Sequence, residues 1–364
     1  MSLIIAEIGT SHEGSVEKAR QLVDAAAGAG ADCIKFQWVY ADEILHPDTG
    51  FVELPTGKIP LYERFKQLEC DKSFYKEMLD YVHSKGCTFC CSPFGLRSLE
   101  ELLEIKPDYV KIASPELNHF PMLEWLAEYR RQQKKEGVSP VPVIVSTGVS
   151  KLKDIEKALE ILGRENVSLL HCITSYPAPE EEYNLRLITN LKNIFGVECG
   201  VSDHSLDPIL VPALFVACGG TIIEKHITLS KETDGLDDPV ALTPDEFADM
   251  TQKVRDIANL DHDMLIAELS DMFGEEMLET IMGDGEKKLA PSEKQNYTRT
   301  NRSIHVMNDM KIGQKIRKKD IAVLRTEKIL TPGMSPEFFH DIIGKKLKLN
   351  VSAGSGLLQN MISD

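Results

Sequence analysis

Short apolar runs alternate with amphipathic stretches through the first 258 residues of the chain. The runs fall at residues 3–8, 33–36, 88–91, 109–112, 141–145, 168–172, 197–201 and 221–223. Each has the length of a buried strand. Between them, residues 15–29, 71–85, 96–105, 152–162 and 184–195 place apolar side chains at helical spacing. Residues 208–218 are small and apolar, as a short helix packed on a sheet is. Eight strands, each followed by a helix, predict an α/β fold of the closed (β/α)8, or TIM, barrel type. A doubly wound open sheet is the alternative.

Beyond residue 258 the pattern changes. Residues 259–280 are acidic and helical in period. Residues 283–301 are rich in Gly, Lys, Pro, Ser, Asn and Thr and read as a linker. The remainder has no strong helical period but carries a faint repeat: 309–316 followed by Asp320-Ile321, and 350–357 followed by Met361-Ile362. Glycine and aliphatic residues fall at the same offsets in both copies, which predicts a small domain of short strands with approximate two-fold symmetry. The expected division is a barrel over 1–258, a helical extension and linker over 259–297, and a small, mostly β domain over 298–364.

Polar residues gather where the apolar runs stop. The runs at 197–201 and 221–223 lead into Ser202-Asp203-His204 and Glu224-Lys225-His226. A single such histidine is ordinarily a satisfied, half-buried one. Neighbouring parallel strands lie ~5 Å apart, so two imidazoles at adjacent strand ends can reach one metal ion. Lys35 and Lys111 lie inside short apolar runs, where a lysine is costly unless it meets an anion or snorkels to water. Glu7, Gln37, Ser92, Ser114, Glu116, Ser146, Thr147, His171, Thr174, Tyr176 and Ser202 also follow runs, with His12 close behind the first. In a barrel all of them border one pocket. Lysines, hydroxyls and two imidazoles together predict a small phosphorylated acid handled beside a divalent metal.

Composition narrows the classes. A net charge of −16 argues against a nucleic-acid partner, which needs a basic face. No apolar run is long enough to span a bilayer and no basic leader opens the chain, so no membrane partner and a cytoplasmic location are expected. Eight cysteines in 364 residues do not make a disulfide scaffold. Cys87, Cys90 and Cys91 lack a second C-x-x-C and read as small core residues.

These residues, in this order, resemble the sialic acid (N-acetylneuraminate) synthase family. The resemblance runs from Ala6-Glu7-Ile8-Gly9-x-x-His12-x-Gly14 through Lys35-Phe36-Gln37, Ser92-Pro93-Phe94 and Lys111-Ile112-Ala113-Ser114. It continues through Ser146-Thr147-Gly148, Tyr176-Pro177, Ser202-Asp203-His204-Ser205, Glu224-Lys225-His226, Asn301-Arg302-Ser303 and Ile321–Arg325. Phe36-Gln37 and Tyr176-Pro177-Ala178-Pro179 are similar to the spore-coat polysaccharide branch. The resemblance implies a barrel joined to an antifreeze-like SAF domain. It also implies condensation of phosphoenolpyruvate with an N-acylated mannosamine-type sugar, releasing phosphate. Residue by residue, it implies that His204 and His226 bind Mn²⁺ or a similar divalent ion. Lys35, Lys111 and Ser92 would hold the phosphoenolpyruvate carboxylate, and Ser114, Ser146, Thr174 and Ser202 its phosphate. Gln37, Glu116, Tyr176 and Asp237 would face the sugar, Glu7 would serve as an acid-base group, and Arg325 would arrive from the partner of a domain-swapped homodimer.

Several positions depart from the family pattern: Ser11 and Thr174 where asparagine is usual, Pro115 before Glu116, and a longer loop over 326–330. Rival readings are a synthase using another sugar aldehyde or a sugar phosphate, and a non-catalytic carbohydrate-binding component of polysaccharide assembly. A metal-dependent hydrolase lacks its H-x-H after the first strand.

Overall fold

The computed structural model describes residues 2–54, 57–233 and 235–363. Ten strands come from the first part of the chain: β1 (Leu3–Gly9), β2 (Cys33–Trp38), β3 (Phe51–Leu54), β4 (Gly57–Pro60), β5 (Thr88–Pro93), β6 (Tyr109–Ile112), β7 (Val143–Ser146), β8 (Val167–Cys172), β9 (Glu198–Asp203) and β10 (Ile222–His226). Eight of them close a parallel barrel in the order β1-β10-β9-β8-β7-β6-β5-β2. Strands β3 and β4 form a separate antiparallel hairpin beyond β2. The expected closed barrel is therefore present, and the open sheet is excluded.

The two-residue period of a strand sorts each run into two faces. In β1, Ile4, Ala6 and Ile8 point outward into the large core shared with the surrounding helices. Ile5 points inward and joins Cys33, Cys90, Ile144, Leu170 and Ile222 in a dry plug at the base of the barrel. One step further along the strands, the inward positions become Glu7, Lys35, Ser92, Lys111, Ser146, Ser202 and Glu224. The apolar plug excludes water from below that polar layer.

Helices begin where the sequence supplies a cap. Ser15 accepts from Lys18 N at 3.2 Å to start Val16–Gly28, and Asp71 accepts from Phe74 N at 3.0 Å to start Lys72–Ser84. Helices Phe120–Lys135 and Pro244–Ile257 were not singled out by periodicity. The first ends in a polar tail from Arg130 to Lys135 that hides its apolar face. The acidic stretch is two helices, His262–Phe273 and Glu275–Met282, separated at Gly274, whose φ of +86° suits glycine.

The small domain is built on β11 (Arg302–Val306) paired antiparallel with β12 (Ile321–Arg325). Its own core runs from Ile304 and Val306 to Leu357 and Ile362. The faint repeat is a real two-fold. Met310 and Val351 exchange backbone hydrogen bonds at 2.8 and 2.9 Å. Asn350 Oδ1 accepts from Ile312 N and Asp309 Oδ1 from Ala353 N, each at 2.9 Å. Gly313 and Gly354 take matching φ values of +77° and +76°.

Candidate active site

The carboxyl ends of the barrel strands enclose a pocket, as barrels of this kind do. Its floor is a four-charge cluster. Lys35 Nζ lies 2.6 Å from Glu7 Oε1 and 3.7 Å from Glu224 Oε1, and Lys111 Nζ lies 3.7 Å from Glu224 Oε2. Lys111 also donates to Ser146 Oγ at 2.7 Å, and Ser202 Oγ donates to Glu224 Oε1 at 3.0 Å. All four charged residues are buried. Neither lysine snorkels; each meets a carboxylate.

The two carboxylates are driven apart in pKa. Burial would raise Glu224, but Lys111 and Lys35 outweigh it and bring the group down to about 2. Glu7 is raised, by burial first and by Glu224 as well, against the pull of Lys35. Burial would lower Lys35, but Glu224 and Glu7 overcome it and raise the group, so it stays cationic. Glu224 is a fixed anion, whereas Glu7 is suited to carry a proton. Gln37 Nε2 donates to Glu7 Oε1 at 2.7 Å, while Glu7 Oε2 has no hydrogen-bond partner among the described residues.

Above the floor stand the two imidazoles, with ring centroids 5.3 Å apart. His204 Nδ1 donates to Ile173 O at 2.8 Å, which locks the ring. Burial would lower this imidazole, but Cys172 beside it outweighs burial and raises the group to about 8, so Nε2 offers a lone pair only once its proton is displaced. Burial, followed by the charges of His204 and Lys35, holds His226 well below the usual imidazole range, so it is neutral. Its buried Nδ1 has no hydrogen-bond partner among the described residues, and its Nε2 lies 3.7 Å from Asp237 Oδ2. A neutral His226, and a His204 whose ring is locked and whose proton a metal would displace, suit a divalent transition ion. Among the described residues no third side chain of ligand type completes a cluster. Water and substrate would have to complete the coordination shell. Tyr176 stacks on His204 at 4.1 Å.

On the adjoining wall, Thr174, Ser114 and Cys172 surround the turn at Gly148, with Ser146 at the end of β7 before it. A Cβ at Gly148 would sit 2.1 Å from Thr174 Oγ1 and 2.8 Å from Ser114 Oγ, so only glycine leaves this hollow open. Ser92 Oγ and Thr174 Oγ1 are buried without hydrogen-bond partners among the described residues. Unpartnered buried hydroxyls lining a cradle are donors awaiting an acceptor.

Two expectations need correction. Glu116 does not face the pocket. It is fully buried, and its Oε1 accepts from Arg302 Nε and Nη2 at 3.1 and 2.9 Å and from Arg325 Nε and Nη2 at 3.0 and 2.8 Å. A carboxylate this buried needs cations, and the small domain supplies both. Arg325, expected from a partner chain, is placed by this single chain at its own barrel. It reaches the mouth of its own barrel, over the Phe94 ring at 5.1 Å. The cause is the linker, which is tied to the barrel loops and delivers β11 beside Asn118 of the same chain; Arg302 N donates to Asn118 Oδ1 at 3.0 Å.

His12, Thr147 and His171 stay outside the pocket. His12 Nδ1 accepts from Gly14 N at 3.0 Å beside Phe74, Thr147 Oγ1 donates to Leu170 O at 3.1 Å, and the His171 ring is held by Tyr183 O. Four contributors were not singled out: Phe65 and Phe94 at the mouth, Arg302 buried against Glu116, and Lys225 behind the wall. Lys225 alternates outward from Glu224 and His226, and its Nζ pairs with Asp203 Oδ2 at 2.6 Å. Asp203 in turn accepts from Tyr183, whose hydroxyl accepts from His204 N at 2.7 Å.

Fold and pocket together define a (β/α)8-barrel enzyme with lysines, imidazoles and hydroxyls at its mouth and a β domain as its roof. Residues 22–264 match the NeuB family and residues 301–363 the SAF domain. The chain belongs to the NeuB family, the synthases of sialic, legionaminic and pseudaminic acids. It is 31% identical over 366 residues to N,N'-diacetyllegionaminic acid synthase of Legionella pneumophila, covering 98% of this chain and 93% of that one. It is 32% identical over 342 residues to spore coat polysaccharide biosynthesis protein SpsE of Bacillus subtilis, covering 93% and 85%. The crystal structure of that SpsE protein superposes with a TM-score of 0.80 at 30% identity, over 100% of this chain and 95% of that one. No helix among the described residues is long and apolar enough to cross a membrane.

Proposed function

We propose that this nonulosonic acid synthase condenses phosphoenolpyruvate with an N-acylated mannosamine-type sugar and releases inorganic phosphate. The observation that carries the reading is the pair of buried lysines, Lys35 and Lys111, beside the hydroxyl-lined hollow at Gly148. Lys35, Lys111 and Ser92 take the carboxylate, while Ser114, Ser146, Thr174 and Ser202 take the phosphate. These contacts offset the charge of a small trianion and hold its enol carbon in place. Gln37, Tyr176, Asp237 and Arg325 line the space left for the sugar.

A divalent ion held by His204 and His226 would supply Lewis-acid polarisation of the sugar's aldehyde oxygen. The chain's own residues do the rest. A bond forms between the enol carbon and the aldehyde carbon, water adds at the neighbouring carbon, and phosphate leaves that carbon with its bridging oxygen. Glu7 Oε2, unpartnered and on a carboxyl raised in pKa, is the place to hold the proton exchanged in these steps. Manganese as the preferred ion, a cytoplasmic location and association into a homodimer accompany this reading through the family.

The test is release of inorganic phosphate from phosphoenolpyruvate with a panel of acylated hexosamines, N-acetylmannosamine 6-phosphate and arabinose 5-phosphate. Turnover only with acylated, unphosphorylated sugars supports the proposal. Turnover only with a sugar phosphate overturns it. Glycan binding with no consumption of phosphoenolpyruvate makes the chain a carbohydrate-binding component instead.

A further inference from the structure

The segment over 283–301, which reads as a plain linker, is a strap of polar side chains across the back of the hydroxyl-lined wall. Glu293 is its centre. It is 1% exposed, and its Oε1 accepts from Val149 N at 2.7 Å and from Thr174 N at 2.8 Å. One carboxylate oxygen from the strap therefore joins the loop after β7 to the loop after β8. Its Oε2 accepts from Ala290 N at 3.2 Å, closing the turn it sits in.

Three more strap residues grip the same two loops. Lys287 Nζ donates to Thr147 O at 2.8 Å, Asn301 Nδ2 to Val149 O at 2.9 Å, and Asn296 Nδ2 to Thr174 O at 3.2 Å. The loop they hold is strained. Val149 is a buried β-branched residue at φ +41°, a conformation such residues rarely adopt and one the surroundings must enforce. Directly before it, Gly148 donates its N–H to Ser114 Oγ at 3.0 Å, and the Thr174 hydroxyl faces the hollow between them.

We infer that Glu293 is a positioning residue for the phosphate side of the phosphoenolpyruvate site, acting through Val149 and Thr174. The inference rests on the assignment of this wall to phosphate made under Proposed function. Without the carboxylate, two buried N–H groups lose their acceptor, Val149 relaxes, and the spacing between the Gly148 turn and Thr174 changes. Of the residues assigned to the sugar, only Tyr176 shares a gripped loop; Gln37, Asp237 and Arg325 stand on other elements.

The experiment measures phosphoenolpyruvate affinity by calorimetry, and the KM of each substrate, for the full-length chain and for Glu293→Ala and Glu293→Gln. Glu293→Ala should weaken phosphoenolpyruvate binding about tenfold or more and leave the sugar KM within about twofold. Glu293→Gln should recover most of the loss, because its amide oxygen still accepts from Val149 N and Thr174 N. If Glu293→Ala does not fold, Asn301→Ala, which removes one bond to the same loop, should show a smaller loss selective for phosphoenolpyruvate. Wild-type affinity in whichever of Glu293→Ala and Asn301→Ala folds, equal weakening toward both substrates, or a glutamine variant as impaired as alanine overturns the positioning role alone. A wild-type chain that binds no phosphoenolpyruvate overturns the assignment of the pocket, and this inference with it.

Discussion

Arg325 and Glu116 are 209 positions apart in the chain and meet at 2.8 Å, Nη2 to Oε1. That contact, doubled by Arg302 on the same oxygen, locks the small domain onto the barrel and fixes the only arginine that lines the pocket among the described residues. Arg325→Ala should raise the KM for the sugar about tenfold or more while phosphoenolpyruvate affinity changes little. Steady-state kinetics with each substrate varied in turn checks this. A loss confined to phosphoenolpyruvate would move Arg325 to the other subsite.

Glu116→Ala should act on stability first. It leaves two guanidiniums at the domain boundary without their carboxylate, one of them, Arg302, fully buried. Removing one partner of a buried pair costs on the order of 3–5 kcal/mol. Denaturant unfolding should show that loss, and limited proteolysis should cut between barrel and small domain. Unchanged stability would mean that the carbonyls of Glu43, Phe94 and Val323, which Arg302 also meets, suffice alone.

His204→Ala or His226→Ala should abolish binding of added Mn²⁺ and metal-dependent turnover, because each removes one of only two nitrogen donors. Circular dichroism should stay near that of the parent chain. Full activity in either variant, after stripping and restoring the metal, would remove the metal site.

Lys111→Ala should weaken phosphoenolpyruvate binding about tenfold or more, since a charge-assisted contact to a bound anion is worth ~1.5–3 kcal/mol. Calorimetry on Lys35→Ala and Lys111→Ala decides the matter. Unchanged affinity in both would dissolve the anion cradle.

Glu224 should reveal itself in acid. Its folded pKa of about 2 lies below the ordinary glutamate value of about 4.3, so its stabilising effect is full above that value and is lost as the pH falls toward 2. The stability difference between the parent chain and Glu224→Gln should shrink across that window, by an amount on the order of 3 kcal/mol. A difference that stays constant from neutral pH to about 2 would show that Lys35 and Lys111 do not depress this carboxyl.

Much of the barrel was legible in the residue pattern. All eight apolar runs overlap strands, because alternation about a strand is a local property of the backbone and shows in five or six consecutive residues. Their place in or just after the runs gathered Lys35, Lys111, Ser146 and Ser202 at one pocket, whereas the turning of Glu224 and His226 inward and Lys225 outward came with the folded barrel. Helix Phe120–Lys135 was less legible, because its charged last turns dilute the apolar stripe. Glu116 was misplaced for a different reason. Its position after β6 puts it at the pocket's edge, but its direction was settled by Arg302, which lies 186 positions away.

By itself, then, the sequence determined the order of strands and helices, the polar layer at the strand ends and the two-fold of the small domain, each read from patterns along the chain. Tertiary structure alone decided which apolar residues form the plug, which way Glu116 turns, that Arg325 lies at the mouth of this chain's barrel, and that the segment around Glu293 is a strap and not a spacer. Those outcomes depend on packing, charges and hydrogen bonds between groups far apart in the chain. No local period encodes such meetings, and each is settled only when the closed barrel brings its partners within reach.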